Sequence, residues 1–446
     1  LNQLDTSVSS SLRIIQMALS DWWKKLIPPK SNDPGLREGA VAKPSIPKAV
    51  PTPPTSRGET PRSDRPQKPK SISWRDNPEA FGVEHPTPTL KSRKVGFEYL
   101  GPNLSFRLHE TRGNDQRLAE LGLPHIETPE ALAELIGYSS KQIRWLAYHS
   151  NEQRSCHYVH FEIPKSNGGT RTLAAPRPAM AACQRWILSN ILGVLSPSDH
   201  AHGFVHGRSI ATGAALHVNR ECLVQLDLKD FFPSITFVRV QGLFISFGYS
   251  PRVATVLASL CTESPRQKIV DSSGNRWVAV ADKCLPQGAC TSPAISNLIC
   301  RSMDARLQGV CKVLGWTYSR YADDLTFSAS GEPGTKIGYL LHRVRGIVHD
   351  ESFIINELKT RVRRKSDQQR VTGLIVNDKI GVPRKTVRKL RAILHQAQYS
   401  DLESQNRGRT EGHFHHWVQG MIGFVHMAAP EKGLKLLSAL QKIKDP

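Results

Sequence analysis

The chain is short of acid. Its 446 residues carry 39 Asp and Glu against 60 Lys and Arg, a formal net charge of +21. That imbalance argues for a polyanionic partner, nucleic acid first and an anionic membrane surface second. Long apolar runs are also missing. None approaches the ~18–20 residues needed to span a bilayer, and no signal-peptide cleavage pattern appears. The expectation is a cytoplasmic protein without a membrane partner. Among the eight cysteines there is no CxxC pair, and most lie in apolar surroundings, as Cys222 does before LVQLD and Cys300 in NLIC. Buried, reduced thiols fit that pattern better than zinc or a disulfide framework. HExxH, nucleophile-elbow and GxxxxGK[ST] motifs are absent, which argues against zincin, α/β-hydrolase and P-loop chemistry.

What is present is organised unevenly. LRIIQMALSDWWKKL places apolar residues at helical spacing and predicts a short amphipathic helix within 1–27. Residues 28–73 are dominated by Pro, Ser, Lys and Arg and keep no hydrophobic period, so they read as a disordered basic linker. Residues 74–126 form an extension in which GFEYLGPNLSFRLH suggests short strands around a Gly-Pro turn. Thr128 before Pro129 and a stop at Gly137 mark one helix; Ser139 and Gln142 have capping-box spacing for a second. VHFEIP and TRTLAAP alternate like strands around SNGG. Short strands and helices then alternate to about Ile380. The remainder, including PRKTVRKLRAILHQA and EKGLKLLSALQKI, is helical.

RYADDLTFS places Asp323 and Asp324 side by side between β-favouring residues. One reading is a polar turn at a hairpin tip. The other is a cation site. LVQLDLKDFFPSI supports the second: LVQLD reads as a buried strand ending in Asp227, and a lone buried carboxylate is costly. Asp227 and Asp323, converging from neighbouring strands, would make a hard, oxygen-rich site suited to Mg²⁺. Two such ions would activate a 3′-hydroxyl and steady a leaving pyrophosphate.

YADD, LDLKDFFPSI and LPQGACTSPAISN, in this order and at this separation, resemble the palm motifs of reverse transcriptases. The resemblance runs from about Ala131 to the C-terminus. It implies an α+β right-hand polymerase: fingers at 127–225, a palm of antiparallel sheet plus helices at 226–370, and a helical thumb at 371–446. It implies that Asp227 and Asp323 are the main metal ligands and Asp324 an accessory one. Asp230 matches the position whose backbone cradles the triphosphate of an incoming dNTP. Phe232 matches the aromatic gate that excludes a 2′-hydroxyl, although core packing would explain it equally well. Gln287 lies where the family contacts the sugar, and Gly288 allows close backbone approach. Lys165 and Arg171 match the basic hairpin that clamps the triphosphate; a solvated hairpin face is the plainer alternative.

Three local features resemble bacterial retron enzymes, the myxobacterial group in particular. Gly213-Ala214-Ala215-Leu216-His217 stands where that family has Asn-Ala-x-x-His, so the Asn is replaced and His217 retained as an expected RNA contact. Val371-Thr372-Gly373 resembles the retron Val-Thr-Gly element, which makes these three residues expected nucleic-acid contacts. The C-terminal helices PRKTVRKLRAILH and GMIGFVHMAAPEKGLKLLSAL resemble the thumb of the group, and the TESPR segment resembles that group as well. The resemblance implies a structured noncoding RNA as template and a branched, RNA-linked DNA (msDNA) as product. It also implies an RNA–DNA hybrid intermediate, host RNase H, a separate effector protein and a role in anti-phage defence. Independently, Arg384, Arg388 and Arg391 fall on one face of a helix, a stripe able to follow a phosphate backbone. The alternatives are a group II intron-type or diversity-generating reverse transcriptase, and a non-catalytic RNA-binding scaffold of the same fold.

Overall fold

The computed structural model describes residues 97–443, apart from 102, 154–155, 165–169, 272–273 and 407–413. The expected N-terminal helix, the linker and most of the extension lie outside the described residues, and so does Lys165.

The strands expected around the Gly-Pro turn do not form. Ser105–Arg107 is a single 3-10 turn, while Phe97, Leu100, Leu104 and Leu108 go into the core. Gly101 decides this. It sits at φ 121° in contact with the His149 carbonyl, where a Cβ would collide, and the His149 amide donates to the Leu100 carbonyl at 2.7 Å. Turn and loop contacts, not a ladder, satisfy this backbone: the Leu100 amide donates to Ser105 Oγ at 2.9 Å, and Ser105 Oγ donates to the Gly101 carbonyl at 3.0 Å.

Local signals act as read further on. After α1 (Asp115–Glu120), α2 (Pro129–Ile136) is capped by Thr128, which accepts from the Ala131 amide at 3.1 Å, and ends on left-handed Gly137. α3 (Ser140–Ala147) carries both halves of its capping box. Beyond β1 (Glu152–Gln153), β2 (Tyr158–Pro164) and β3 (Thr170–Pro176) form an antiparallel hairpin with Ile163 opposite Arg171. α4 (Pro178–Asn190) buries Met180, Cys183, Gln184 and Ile187.

The centre is a four-stranded antiparallel sheet. α5 (Ile210–Ala215) leads to β4 (Cys222–Asp227), whose side chains are nearly all buried, as LVQLD requires. α6 (Phe237–Ser246) and α7 (Pro251–Cys261) follow. β5 (Arg266–Asp271) and β6 (Gly274–Ala279) pair with each other, and β6 pairs with β1. α8 (Ser292–Ile299) and α9 (Arg301–Leu314) precede β7 (Thr317–Tyr321) and β8 (Asp324–Ala329). α10 (Ile337–Asp350) then delivers β9 (Arg361–Arg364), completing the order β7-β8-β4-β9. The large core runs from Phe97 to Phe353 along the chain.

A second cluster joins Ala214 and Leu223 to the C-terminal elements. These are β10 (Arg370–Val371), β11 (Leu374–Ile375), α11 (Arg384–Gln396), α12 (Phe414–Ala428) and α13 (Pro430–Gln441). All eight cysteines are free, and only Cys290 is not fully buried. Among the described residues no helix is long and apolar enough to cross a membrane.

Candidate active site

Three carboxylates meet at one end of the central sheet. β4 ends on Asp227, β8 begins at Asp324, and the two stand opposite each other in the ladder. Asp323 occupies the two-residue turn between β7 and β8, and its carbonyl accepts from the Leu228 amide at 3.0 Å. Ala322 gives this turn a left-handed step at φ 54°, a conformation that tight hairpins need and alanine resists.

Arg320 holds the turn in place. Its Nε and Nη2 each donate to Asp304 at 2.8 Å, and Nη1 donates to Asn297 Oδ1 at 3.0 Å and to the Ala322 carbonyl at 3.3 Å. Tyr318 adds a hydroxyl donor to Asp304 at 2.8 Å. Both members of the pair are wholly buried. Sequence reasoning missed them. The available signal was Asp304 on the apolar face of α9, beside Met303, Leu307 and Cys311.

The electrostatics of the site are those of crowded negative charge. Burial, then Asp323 and Asp227, push the Asp324 carboxyl up to about 6. Asp323 is raised as well, by burial and then Asp227, while Lys359 and Arg171 oppose the shift. Asp227 is engaged differently: Lys359 Nζ donates to its two oxygens at 2.8 and 3.0 Å, and Asn356 Nδ2 donates at 3.3 Å. That ammonium stands as a monovalent cation on the carboxylate. Among the described residues no group of three or more His, Cys, Asp or Glu side chains is closed into a metal geometry. The donor set nevertheless suits a hard divalent ion. It offers oxygen alone, two carboxyls resist ionising beside one another, and the third has recruited a positive charge.

Residues 163–376 match the family described as reverse transcriptase (RNA-dependent DNA polymerase). The chain is 40% identical to the Retron Mx162 reverse transcriptase of Myxococcus xanthus, over 74% of this chain and 70% of that one. It is 43% identical to the Retron Mx65 reverse transcriptase of the same organism, over 74% and 75%. The Retron Ec86 reverse transcriptase of Escherichia coli is 30% identical, over 74% of this chain and 94% of its own. This chain belongs to the retron reverse transcriptases. It is an RNA-directed DNA polymerase with the mixed helix-and-sheet fold of that family.

The other residues expected to serve this retron polymerase are spread over several elements. Arg171 projects from β3, exposed, close enough for its charge to act on Asp323. Asp230 is exposed at φ 46°, its carbonyl accepting from the Ser234 amide at 2.8 Å. Phe232 is half-buried against Phe231, which stacks on Phe353. Gln287 Oε1 is buried and without a hydrogen-bond partner, an open acceptor. Gly288, at φ 124°, does allow a close approach, but to β3: a Cβ would stand 2.9 Å from the Ala174 carbonyl oxygen.

Two expected RNA contacts are corrected. His217 is completely buried, with its ring nitrogens on Ser328 Oγ at 2.7 Å and Ser319 Oγ at 2.8 Å. It ties the segment after α5 to β7 and β8 and has no free face for RNA. Val371 is buried in the second core. Thr372 and Gly373 make the β10–β11 turn at φ 46° and 90°, with Gly373 exposed. Gly213, where the resemblance leads one to expect Asn, lies against His202; a Cβ would stand 3.3 Å from that side chain. Arg384, Arg388 and Arg391 are exposed along α11, while Val387, Leu390, Ile393 and Leu394 face inward.

Proposed function

We propose that this enzyme copies part of a structured noncoding RNA into msDNA, a branched single-stranded DNA joined to its RNA through an internal guanosine 2′-hydroxyl. The crowding of Asp227, Asp323 and Asp324 at one sheet end carries the reading, because three carboxyls held together, with a lysine ammonium already drawn onto one of them, suit a site built to receive divalent cations. Two Mg²⁺ ions, when bound, supply activation of the attacking hydroxyl and neutralisation of the departing pyrophosphate. The chain's own residues hold and select the reactants. The three aspartates hold the ions. Arg171, with Lys165, grips the dNTP triphosphate through its planar fork of donors, and the backbone at Asp230 cradles it. Gln287 Oε1 accepts from a sugar hydroxyl. The Phe232 ring fills the place a 2′-hydroxyl would need, so dNTPs are preferred over rNTPs.

In this reading the thumb arginines follow the backbone of the RNA–DNA hybrid, which is recognised mainly by shape. Host RNase H trims the copied RNA in the cytoplasm, and the complex works with a separate effector in anti-phage defence. The test is to purify the protein from its native locus with its nucleic acid and treat that with RNase or debranching enzyme. A discrete DNA whose mobility shifts on debranching is expected, and it should vanish in an Asp323→Ala, Asp324→Ala double variant. RNA alone, from an enzyme that still extends primers, would remove the retron product from the reading and leave the polymerase.

A further inference from the structure

The loop at 198–208 is tied along the catalytic hairpin. The His202 amide donates to the Arg320 carbonyl, and the Arg320 amide to the His200 carbonyl, each at 2.8 Å. Arg208 Nη1 donates to the carbonyls of Ser198 at 2.7 Å and Ala201 at 2.8 Å. Asn297 Nδ2 donates to the Gly203 carbonyl at 2.9 Å. Gly203 is pressed so close that a Cβ would lie 2.9 Å from the Ala322 nitrogen. The next residue, Phe204, therefore stands beside the turn that carries Asp323.

Phe204 is unfavourable for the isolated protein in two respects. Its backbone is left-handed, φ 59°, which a bulky side chain seldom tolerates. Its ring is 57% exposed, so burial does not offset the strain. The ring lies 6.3 Å from that of Tyr321, tilted by 39°. A strained, exposed aromatic residue, rigidly anchored beside a reactive site, points to a ligand that uses it. The charge of the chain, +21, and the neighbouring carboxylate centre favour nucleic acid over a protein partner, and flat rings bind nucleobases by stacking whatever the sequence.

We propose that Phe204, with Tyr321 beside it, is a stacking shelf for a nucleobase at the polymerising end of the bound duplex. The assignment rests on Asp227, Asp323 and Asp324 being the polymerase site. The probe is an RNA template with a DNA primer, 2-aminopurine being placed in turn at each nucleotide near the primer terminus. Phe204→Ala in the full chain should weaken duplex binding about ten-fold and abolish the 2-aminopurine fluorescence change at one position. Phe204→Trp should restore both. Phe204→Gly should lose binding equally while its Tm stays level or rises, because the left-handed strain is relieved. Unchanged affinity and fluorescence in Phe204→Ala would overturn the proposal and return the ring to a protein partner. So would a fall in Tm that Phe204→Trp fails to repair, since the residue would then be structural. Asp323→Asn keeps the two claims apart. It should bind and stack but not extend the primer; if it extends, the catalytic reading fails while the stacking result stands.

Discussion

At Asp324, burial and two like charges produce a carboxyl that titrates at about 6 instead of its ordinary 3.8. The folded protein therefore binds more protons than the unfolded chain between these values, and this group's contribution to stability falls as pH rises from about 4 to about 6. The buried imidazoles have the opposite sign. Burial lowers His149 and His217 to about 3, so their contribution rises with pH up to about 6.5. Comparing wild type with Asp324→Asn isolates the carboxylate. Asp324 itself is exposed where β8 begins, although the neighbouring protein withdraws much of the water around its carboxyl, so without divalent ions the variant should be the more stable at pH 7.5 by at most ~1 kcal/mol, and the advantage should vanish near pH 4. Equal denaturation curves at pH 7.5 would refute the crowding argument. At Phe232 the expectation is kinetic: Phe232→Ala should raise the efficiency of rNTP use relative to dNTP. An unchanged ratio in single-nucleotide incorporation would place the gate elsewhere.

At the scale of elements, the β7–β8 hairpin depends on α9 as much as on its own ladder. Asp304→Asn preserves shape but leaves the Arg320 guanidinium buried without its counter-charge, a loss of about 3–5 kcal/mol that urea denaturation should register. A change below ~1 kcal/mol would mean that the turn is held by its strands alone. β3 and the loop at Gln287–Gly288 are similarly interlocked, since the Ala174 amide donates to the Gln287 carbonyl at 2.7 Å. Gly288→Ala combines a positive φ with a collision against backbone. It should lower Tm by several degrees, equivalent to about 1–3 kcal/mol, and an unshifted Tm would show that this contact yields easily.

At the scale of the whole molecule, part of the excess positive charge is displayed by one helix of the second core. α11 turns Val387, Leu390, Ile393 and Leu394 toward the second core, so Arg384, Arg388 and Arg391 are left facing outward. If the two N-terminal arginines each meet a phosphate, Arg384→Ala with Arg388→Ala should weaken duplex binding and reduce the slope of log K against log salt by about two. A slope equal to wild type would assign the stripe to solvent.

The sequence by itself determined whatever depends on neighbours along the chain. The caps of α2 and α3, the β2–β3 hairpin, the buried run of β4 and the amphipathic stripe of α11 all follow from short-range rules of dihedral preference and hydrophobic period. The motifs also marked Asp227, Asp323 and Asp324, because their residue types and order are local information. Tertiary structure decided the rest. It sealed His217 between serines 102 and 111 residues away, and made Gly288 serve the β3 contact. It paired Arg320 with Asp304, and set a strained Phe204 beside the acidic turn. Each of these outcomes depends on which distant backbone comes within a few ångströms, and close packing settles that only when all the elements are assembled.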